Sequence, residues 1–363
     1  MFIFSLLGSI FIIVILAFLN ITIFLNANSQ NVTYGDFTTI NQTTEDNVIK
    51  KDTIYFVGDV MLGRHVEELI NLYGISYPFQ NITFPKLENS YVVGNFESSI
   101  SKHHTKTPDF HFQFSTNPKY IIALKNIGFT HLSLANNHAF DYGIEGYKNA
   151  KTTLENDNIK SFGHPAQIAT SSVTFIELKN HKIAIIGIHN LFMKPTPEDI
   201  KNIFSWSSRN SDFQIAFVHW GTEYSLNQSQ SQREFAKELV EAGADLVIGH
   251  HPHVVQGIEE IENSLVFYSL GNFIFDQYFS KDVREGLVLA LHDNESGIDI
   301  ELLPISSSHS LSQPSFMTKD ETSDFLTSLT QRSQENLNSA IKNQKIALIN
   351  RLATSTETVI MTE

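Results

Sequence analysis

Asp245-Leu-Val-Ile-Gly-His-His-Pro-His253 runs from a short apolar segment straight into a loop holding three imidazoles. An apolar run of that length, closed by glycine, reads as a buried strand, so the histidines stand at its carboxyl end. Pro252 fixes the backbone between His251 and His253 and restricts where those two side chains point. Imidazole is the commonest protein metal ligand near neutral pH. Four other strand-like runs end in polar residues of the same kind. Ile54-Tyr-Phe-Val57 leads to Gly58-Asp59, and Tyr91-Val-Val93 leads to Gly94-Asn-Phe-Glu97. His131-Leu-Ser-Leu-Ala135 leads to Asn136-Asn137-His138, and Ile215-Ala-Phe-Val218 to His219-Trp220-Gly221. Ligands of open α/β sheets gather outside the carboxyl ends of strands. A loop-start cap accounts for any one of these residues; five coincident strand ends point to one shared pocket. Carboxylate, carboxamide and imidazole together suit Mn2+, Zn2+ or Fe2+, and without thiolate they disfavour soft metals.

The 363 residues allow one large domain or two modest ones. A hydrophobic content of 42% supplies a sizeable core, and 28 phenylalanines favour sheet packing. A formal charge of −14 argues against a nucleic-acid partner, whose binding rests on Lys and Arg at phosphates. There is no cysteine, hence no disulfide, no thiolate ligand and no thiol nucleophile. Residues 2–25 carry no charge and are mostly apolar, about 36 Å as a helix and enough to span a bilayer. No Lys or Arg precedes Lys50, whereas a cleavable signal peptide opens on a basic stretch. The expectation is an uncleaved transmembrane signal anchor over residues 1–25, single-pass in the cell membrane, with the soluble domain outside the cytoplasm. Residues 26–51, rich in Asn, Thr and Gln, read as a polar stalk.

From residue 52 to about 305 the pattern alternates strand, loop and helix. Residues 65–73 and 118–126 read as helices, the second ended by Gly128. Ile144, Tyr147, Ala150 and Leu154 mark the buried face of a third. Residues 173–178 and 182–187 read as a hairpin turning at Lys179-Asn180-His181. Ser231 and Glu234 frame a capping box for a helix buried through Phe235, Ala236, Leu239 and Val240 and stopped at Gly243. Residues 254–258, 265–270, 286–291 and 298–303 then read as strands. Early βαβ units followed by strands imply a mixed sheet or a two-sheet sandwich flanked by helices. Residues 306–363 read as a polar linker and a C-terminal helical tail.

These segments resemble the CapA-type poly-gamma-glutamate capsule-biosynthesis family. The resemblance lies in Val57-Gly-Asp-Val-Met-Leu-Gly-Arg64, Gly94-Asn-Phe-Glu97, Leu134-Ala-Asn-Asn-His-Ala-Phe-Asp-Tyr-Gly143, Val218-His-Trp-Gly-Thr-Glu-Tyr224, residues 245–256 and Tyr268-Ser-Leu-Gly-Asn-Phe-Ile-Phe-Asp276. It runs in order from about residue 53 to residue 304. That family is similar to calcineurin-like metallophosphoesterases, which implies a four-layer α/β/β/α sandwich with one or two divalent metals. By resemblance, Asp59 is a ligand from the first strand and Glu97 the bridging carboxylate. Asn137, His219 and His251 are ligands of the second metal, and His253 of the first. His138 is the catalytic acid or transition-state contact, and Asp141 orients it. Arg64 neutralises an anionic substrate group. His250 ranks below its neighbours, and Trp220 and Tyr224 either wall the pocket, as substrate contacts, or pack its rim. Asn272 and Asp276 read as structural. Two departures stand out: Met61 occupies the position where the wider superfamily has a histidine, and thioether is a poor ligand for hard divalent ions; Glu97 stands where the usual bridging residue is Asp.

The resemblance implies a membrane-anchored protein acting on an anionic polymer, poly-gamma-glutamate, in its synthesis, export or processing, as a metal-dependent hydrolase. Its expected partners are the membrane, the polymer and other capsule-synthesis membrane proteins. Two other readings stay open: a phosphoesterase for another extracytoplasmic phosphoester, and a non-catalytic subunit that retains polymer.

Overall fold

The computed structural model describes residues 53–84, 90–107 and 112–349; the expected anchor and stalk lie outside the described residues. Among the described residues no helix is long and apolar enough to cross a membrane.

The chain is mixed α/β. Strands β1 (Thr53–Val60) and β2 (Ser90–Phe96) run parallel, joined through helix α1 (Arg64–Tyr73). After a 3-10 turn at Pro118–Tyr120 come α2 (Ile121–Ile127), β3 (Phe129–Ser133), α3 (Gly143–Asn156) and β4 (Lys160–Phe162), which continue the parallel sheet. Hairpin β5 (Val173–Glu177) and β6 (Lys182–His189) opens a second sheet, turning at the expected tripeptide. That sheet adds α4 (Pro197–Ser207), β7 (Phe213–His219), α5 (Gln230–Ala242), β8 (Leu246–His250), β9 (Ile258–Ile261) and β10 (Ser264–Phe267). The chain then returns to the first sheet with β11 (Asn272–Ile274), β12 (Glu285–Asn294), β13 (Gly297–Ser306) and β14 (Ser315–Phe316). Beyond residue 305, α6 (Lys319–Arg332) and α7 (Asn338–Lys342) lead into β15 (Lys345–Ile349), which pairs antiparallel with β13. The first sheet is ordered β14-β13-β12-β1-β2-β3-β4, and the second β5-β6-β7-β8-β10-β9.

Three apolar clusters show how these pieces stack. Ile54 and Phe56 of β1, Leu287 and Leu289 of β12, and Ile215, Phe217 and Ile248 of the second sheet share one core between the two sheets. Phe325, Leu329 and Ile341 close the same core from α6 and α7. The opposite face of the first sheet buries Val57 and Leu132 against Val66, Leu124 and Leu154 of α1–α3. The outer face of the second sheet buries Ala216 and Val247 against Phe204 and Leu239 of α4 and α5. The layers are therefore helix, sheet, sheet, helix. A strand buried on both faces needs near-continuous apolar sequence, and all eight residues of β1 are buried.

Several local expectations are corrected. Helix α5 starts earlier than Ser231: Ser229 accepts from the Gln232 backbone N–H, and the Gln232 side chain accepts in return from Ser229 N. Serine and a residue three further on make that box at either register, and packing of Phe235 and Leu239 chose the earlier one. Ile144 is exposed, because the face of α3 that meets the core runs through Gly146, Ala150 and Leu154. Of residues 254–258 only Ile258 starts a strand, since the segment before it turns around the histidine loop. Two glycines allow close backbone approach at the sheet ends. A Cβ on Gly58 would lie 1.9 Å from Gly271 O, and one on Gly249 would lie 2.0 Å from Tyr268 O.

Candidate metal centre

Asp59 and Asn95 are the penultimate residues of β1 and β2, and His219 and His250 end β7 and β8, so four strands deliver polar residues at their carboxyl ends. Glu97 follows directly after β2, its carboxylate beside the Asn95 carboxamide. The histidine loop completes the edge under strain: His251 and His253 have φ of 94° and 59°. Non-glycine residues in that region cost of order 1–3 kcal/mol each and concentrate at functional sites.

Glu97 is the hub. Its Oε1 lies 3.6 Å from His253 Nε2, 3.8 Å from His138 Nε2 and 3.9 Å from His219 Nε2. Ligand atoms of Glu97, His251 and His253 lie within 4.8 Å of one another, and so do those of Asp59, Glu97 and His219. His253 Nδ1 is 3.1 Å from Asp59 Oδ2, and Asn137 Oδ1 is 2.7 Å from His219 Nε2. The Asn95 carboxamide donates to Asp59 Oδ1 at 2.7 Å and to Glu97 Oε2 at 3.3 Å. Asn136 in turn donates to Asn95 Oδ1 at 3.0 Å. Asn272 holds His253 Nδ1 at 3.0 Å. Asn95 and Asn136 had no assigned role from sequence, whereas Asn272 was read as structural and holds a histidine of the centre. Asn95 had a legible signal, since it follows the same apolar run that leads to Glu97 two residues on.

The electrostatics match a cation. Burial pushes the Glu97 carboxyl well above its ordinary value, and the charge of Asp59 adds to it. Burial also acts to raise Asp59, but the His253 hydrogen bond and charge, His250 and Asn95 outweigh it and hold that carboxyl low. Burial drives His219 well below the ordinary imidazole value and His251 down to about 3, so both are neutral donors. Glu97 Oε1 and His251 Nδ1 are buried without a hydrogen-bond partner. Buried polar atoms are seldom left so. Neutral imidazoles, two carboxylates and a carboxamide, with no thiolate, fit a divalent ion of the Mn2+, Zn2+ or Fe2+ type.

His138 stands beside this group with its ring fixed from two sides. Its Nδ1 meets Asp141 Oδ2 at 2.7 Å, and its face stacks on Phe114 at 3.8 Å between centroids. Asp141 Oδ2 also accepts the Phe114 backbone N–H at 2.6 Å. One carboxylate therefore sets both the ring and the aromatic under it, leaving Nε2 turned toward Glu97.

Asp59, Glu97, Asn137, His138, Asp141, His219, His251 and His253 thus meet at one sheet edge. Two expected substrate contacts do not match in the same way. Trp220 is only 1% exposed and packs into the outer core of the second sheet, its indole N–H donating to Tyr268 O at 2.9 Å. It walls no part of the centre, because the strand ends at His219 and the next side chain points away. Arg64 lies near the centre, but Asp276 engages its guanidinium through Nε at 3.0 Å and through a second nitrogen. That charge rests 4.5 Å above Phe114 and supports the ring beneath His138. Asp276 is structural in this specific sense. Met61 is buried with the α1–α3 core, and its sulfur accepts the Gly63 N–H. His250 bonds Val57 O at 3.2 Å and packs tilted against the Phe217 ring; it belongs to the core. Tyr224, 43% exposed, lies at the rim 6.2 Å from the His253 ring.

A family model described as bacterial capsule synthesis protein PGA_cap matches residues 53–277. The capsule biosynthesis protein CapA of Bacillus anthracis is 33% identical over 280 residues, covering 71% of this chain and 68% of that protein. The PGA biosynthesis protein CapA of Bacillus subtilis (strain 168) is 31% identical over 281 residues, covering 73% of each. Among solved structures, a phosphatase from Mycoplasma pneumoniae matches at a TM-score of 0.40 and 14% identity, over 70% of this chain and 87% of its own.

Proposed function

This chain belongs to the bacterial capsule synthesis protein family, and from that premise we propose that it processes poly-gamma-glutamate through a divalent-metal centre. We read its sandwich as metallophosphoesterase-like, and the charge-free residues 2–25 as the anchor that holds the domain outside the cytoplasm. The observation that carries the reading is Glu97 Oε1, buried, without a hydrogen-bond partner and faced by three imidazole nitrogens.

Asp59, Glu97, His251, His253, His219 and Asn137 would hold the metal. A bound divalent ion acidifies water and polarises the oxygen of the attacked group. Asn95 fixes the carboxylates by donating to both. Asp141 accepts from His138 Nδ1, which fixes the tautomer and leaves the Nε2 lone pair to take a proton from the attacking water and pass it to the departing amide nitrogen. Phe114 excludes water from one face of that imidazole.

The test uses the full chain, purified, metal-loaded and incubated with poly-gamma-glutamate, with polymer length followed by size-exclusion chromatography. Shortening of the polymer, abolished by chelator and by His138→Ala, supports the reading. A metal-loaded protein that binds polymer and leaves its length unchanged selects the polymer-retention reading instead. The one feature that favours retention is Met61, a buried thioether at the position where an imidazole would add a ligand.

A further inference from the structure

His189 ends β6 one strand away from the centre, and none of the roles above uses it. Strands β6 and β7 are parallel, with His189 in register with His219. Register partners on neighbouring strands project from the same face of a sheet. His219 faces the ligand cluster, and so does His189, their rings 6.0 Å apart. His189 is 6% exposed. Its Nδ1 lies 2.6 Å from Pro165 O. A carbonyl oxygen only accepts, so Nδ1 carries the hydrogen and Nε2 of the neutral ring presents a lone pair. That Nε2 is buried and has no hydrogen-bond partner.

A lone pair turned toward such a centre takes either a metal or a hydrogen. His189 stands outside both groups whose ligand atoms lie within 4.8 Å of one another, and a hydrogen then satisfies it. We propose that His189 is a substrate-binding residue whose Nε2 accepts a hydrogen bond from an amide N–H. The inference rests on the poly-gamma-glutamate reading of the centre and narrows its substrate class. A phosphodiester at neutral pH has no hydrogen on its phosphate oxygens to give, whereas every gamma-glutamyl link has one N–H. Phe192, 80% exposed on the following loop, lies 6.2 Å from the His189 ring and offers an apolar surface to the methylenes beside that link.

The experiment titrates the full chain, metal-loaded, with a gamma-glutamyl oligomer and with its N-methylated counterpart, which lacks the hydrogen. His189→Phe removes the acceptor, and His189→Gln replaces it with a carbonyl oxygen. Expected for His189→Phe is affinity for the oligomer about fivefold weaker, the size of one hydrogen bond of about 1 kcal/mol. Affinity for the N-methylated oligomer and metal content stay at wild-type values, and His189→Gln recovers most of the loss. Equal weakening for both oligomers, or a fall in metal content, overturns the proposal. If the unsubstituted protein binds no gamma-glutamyl oligomer, the poly-gamma-glutamate reading fails and takes this inference with it. If it binds and His189→Phe binds equally well, this inference alone fails.

Discussion

Glu97→Gln is expected to stabilise the metal-free protein while abolishing its response to metal. Asp59 and Glu97 are fully buried, with ligand oxygens within 4.8 Å of each other. Two unit charges at that separation repel by about 3.5 kcal/mol at an effective dielectric near 20. Glutamine keeps the Asn95 contact and turns an amide hydrogen toward the three imidazole nitrogens around Oε1. Allowing about 1 kcal/mol for imperfect hydrogen bonds, the metal-free variant gains about 2.5 kcal/mol at pH 7.5. In a domain of this size that is a rise in Tm of about 4 °C. The pH dependence has a definite sign. Burial and Asp59 raise the folded carboxyl above its ordinary 4.5, so its contribution is intact below 4.5 and is lost as pH rises toward the raised value. The advantage of glutamine therefore opens above pH 4.5 and closes below it. Thermal unfolding in chelator and in excess Mn2+ or Zn2+, alongside metal analysis, reads both effects. Excess metal stabilises the wild type by about 2.7 kcal/mol at one hundred times Kd and leaves the variant unmoved. A variant less stable than wild type in chelator, or one that keeps the wild-type metal shift, would falsify the assignment of Glu97 as the shared ligand.

Asp141→Asn should leave metal content unchanged while reducing polymer cleavage at least about a hundredfold, the scale of a positioned proton donor; turnover within threefold of wild type would exclude the His138–Asp141 pair from proton transfer. Burial, with Lys160 adding, holds His131 down to about 3, so its contribution is intact above 6.5 and is lost as pH falls toward 3. His131→Leu should remove about 2 kcal/mol of the stability difference between pH 7.5 and 5.0, measured by urea unfolding; an unchanged difference would refute that origin. Trp220→Phe should cost about 1 kcal/mol of stability through the lost bond to Tyr268 O and change activity less than twofold, and a larger loss of activity would return Trp220 to the substrate pocket.

Much of the centre was legible because its residues obey strand-end logic. Asp59, Glu97, His138, His219, His251 and His253 each follow an apolar run at a position a loop would fill with any polar residue, and their recurrence was the signal. Asn95 and Asn136 were harder, since a carboxamide that donates to two buried carboxylates looks the same in sequence as one that caps a turn. His189 was missed because the strand reading stopped at Gly187, whereas pairing with β7 extends β6 through His189. Trp220 misled for a related reason: a tryptophan after a ligand reads as a pocket wall until the outer core of the second sheet takes it.

The linear order of residues already determined that apolar runs of strand length alternate with amphipathic helices, and that each run ends in a group able to bind a cation. These are local properties, set by side-chain period and by the scarcity of buried polar groups without partners. Only the tertiary structure decided which charges remain free for chemistry. Arg64 is neutralised by Asp276 and Glu97 keeps an oxygen with no partner, because each outcome depends on neighbours brought in from distant parts of the chain.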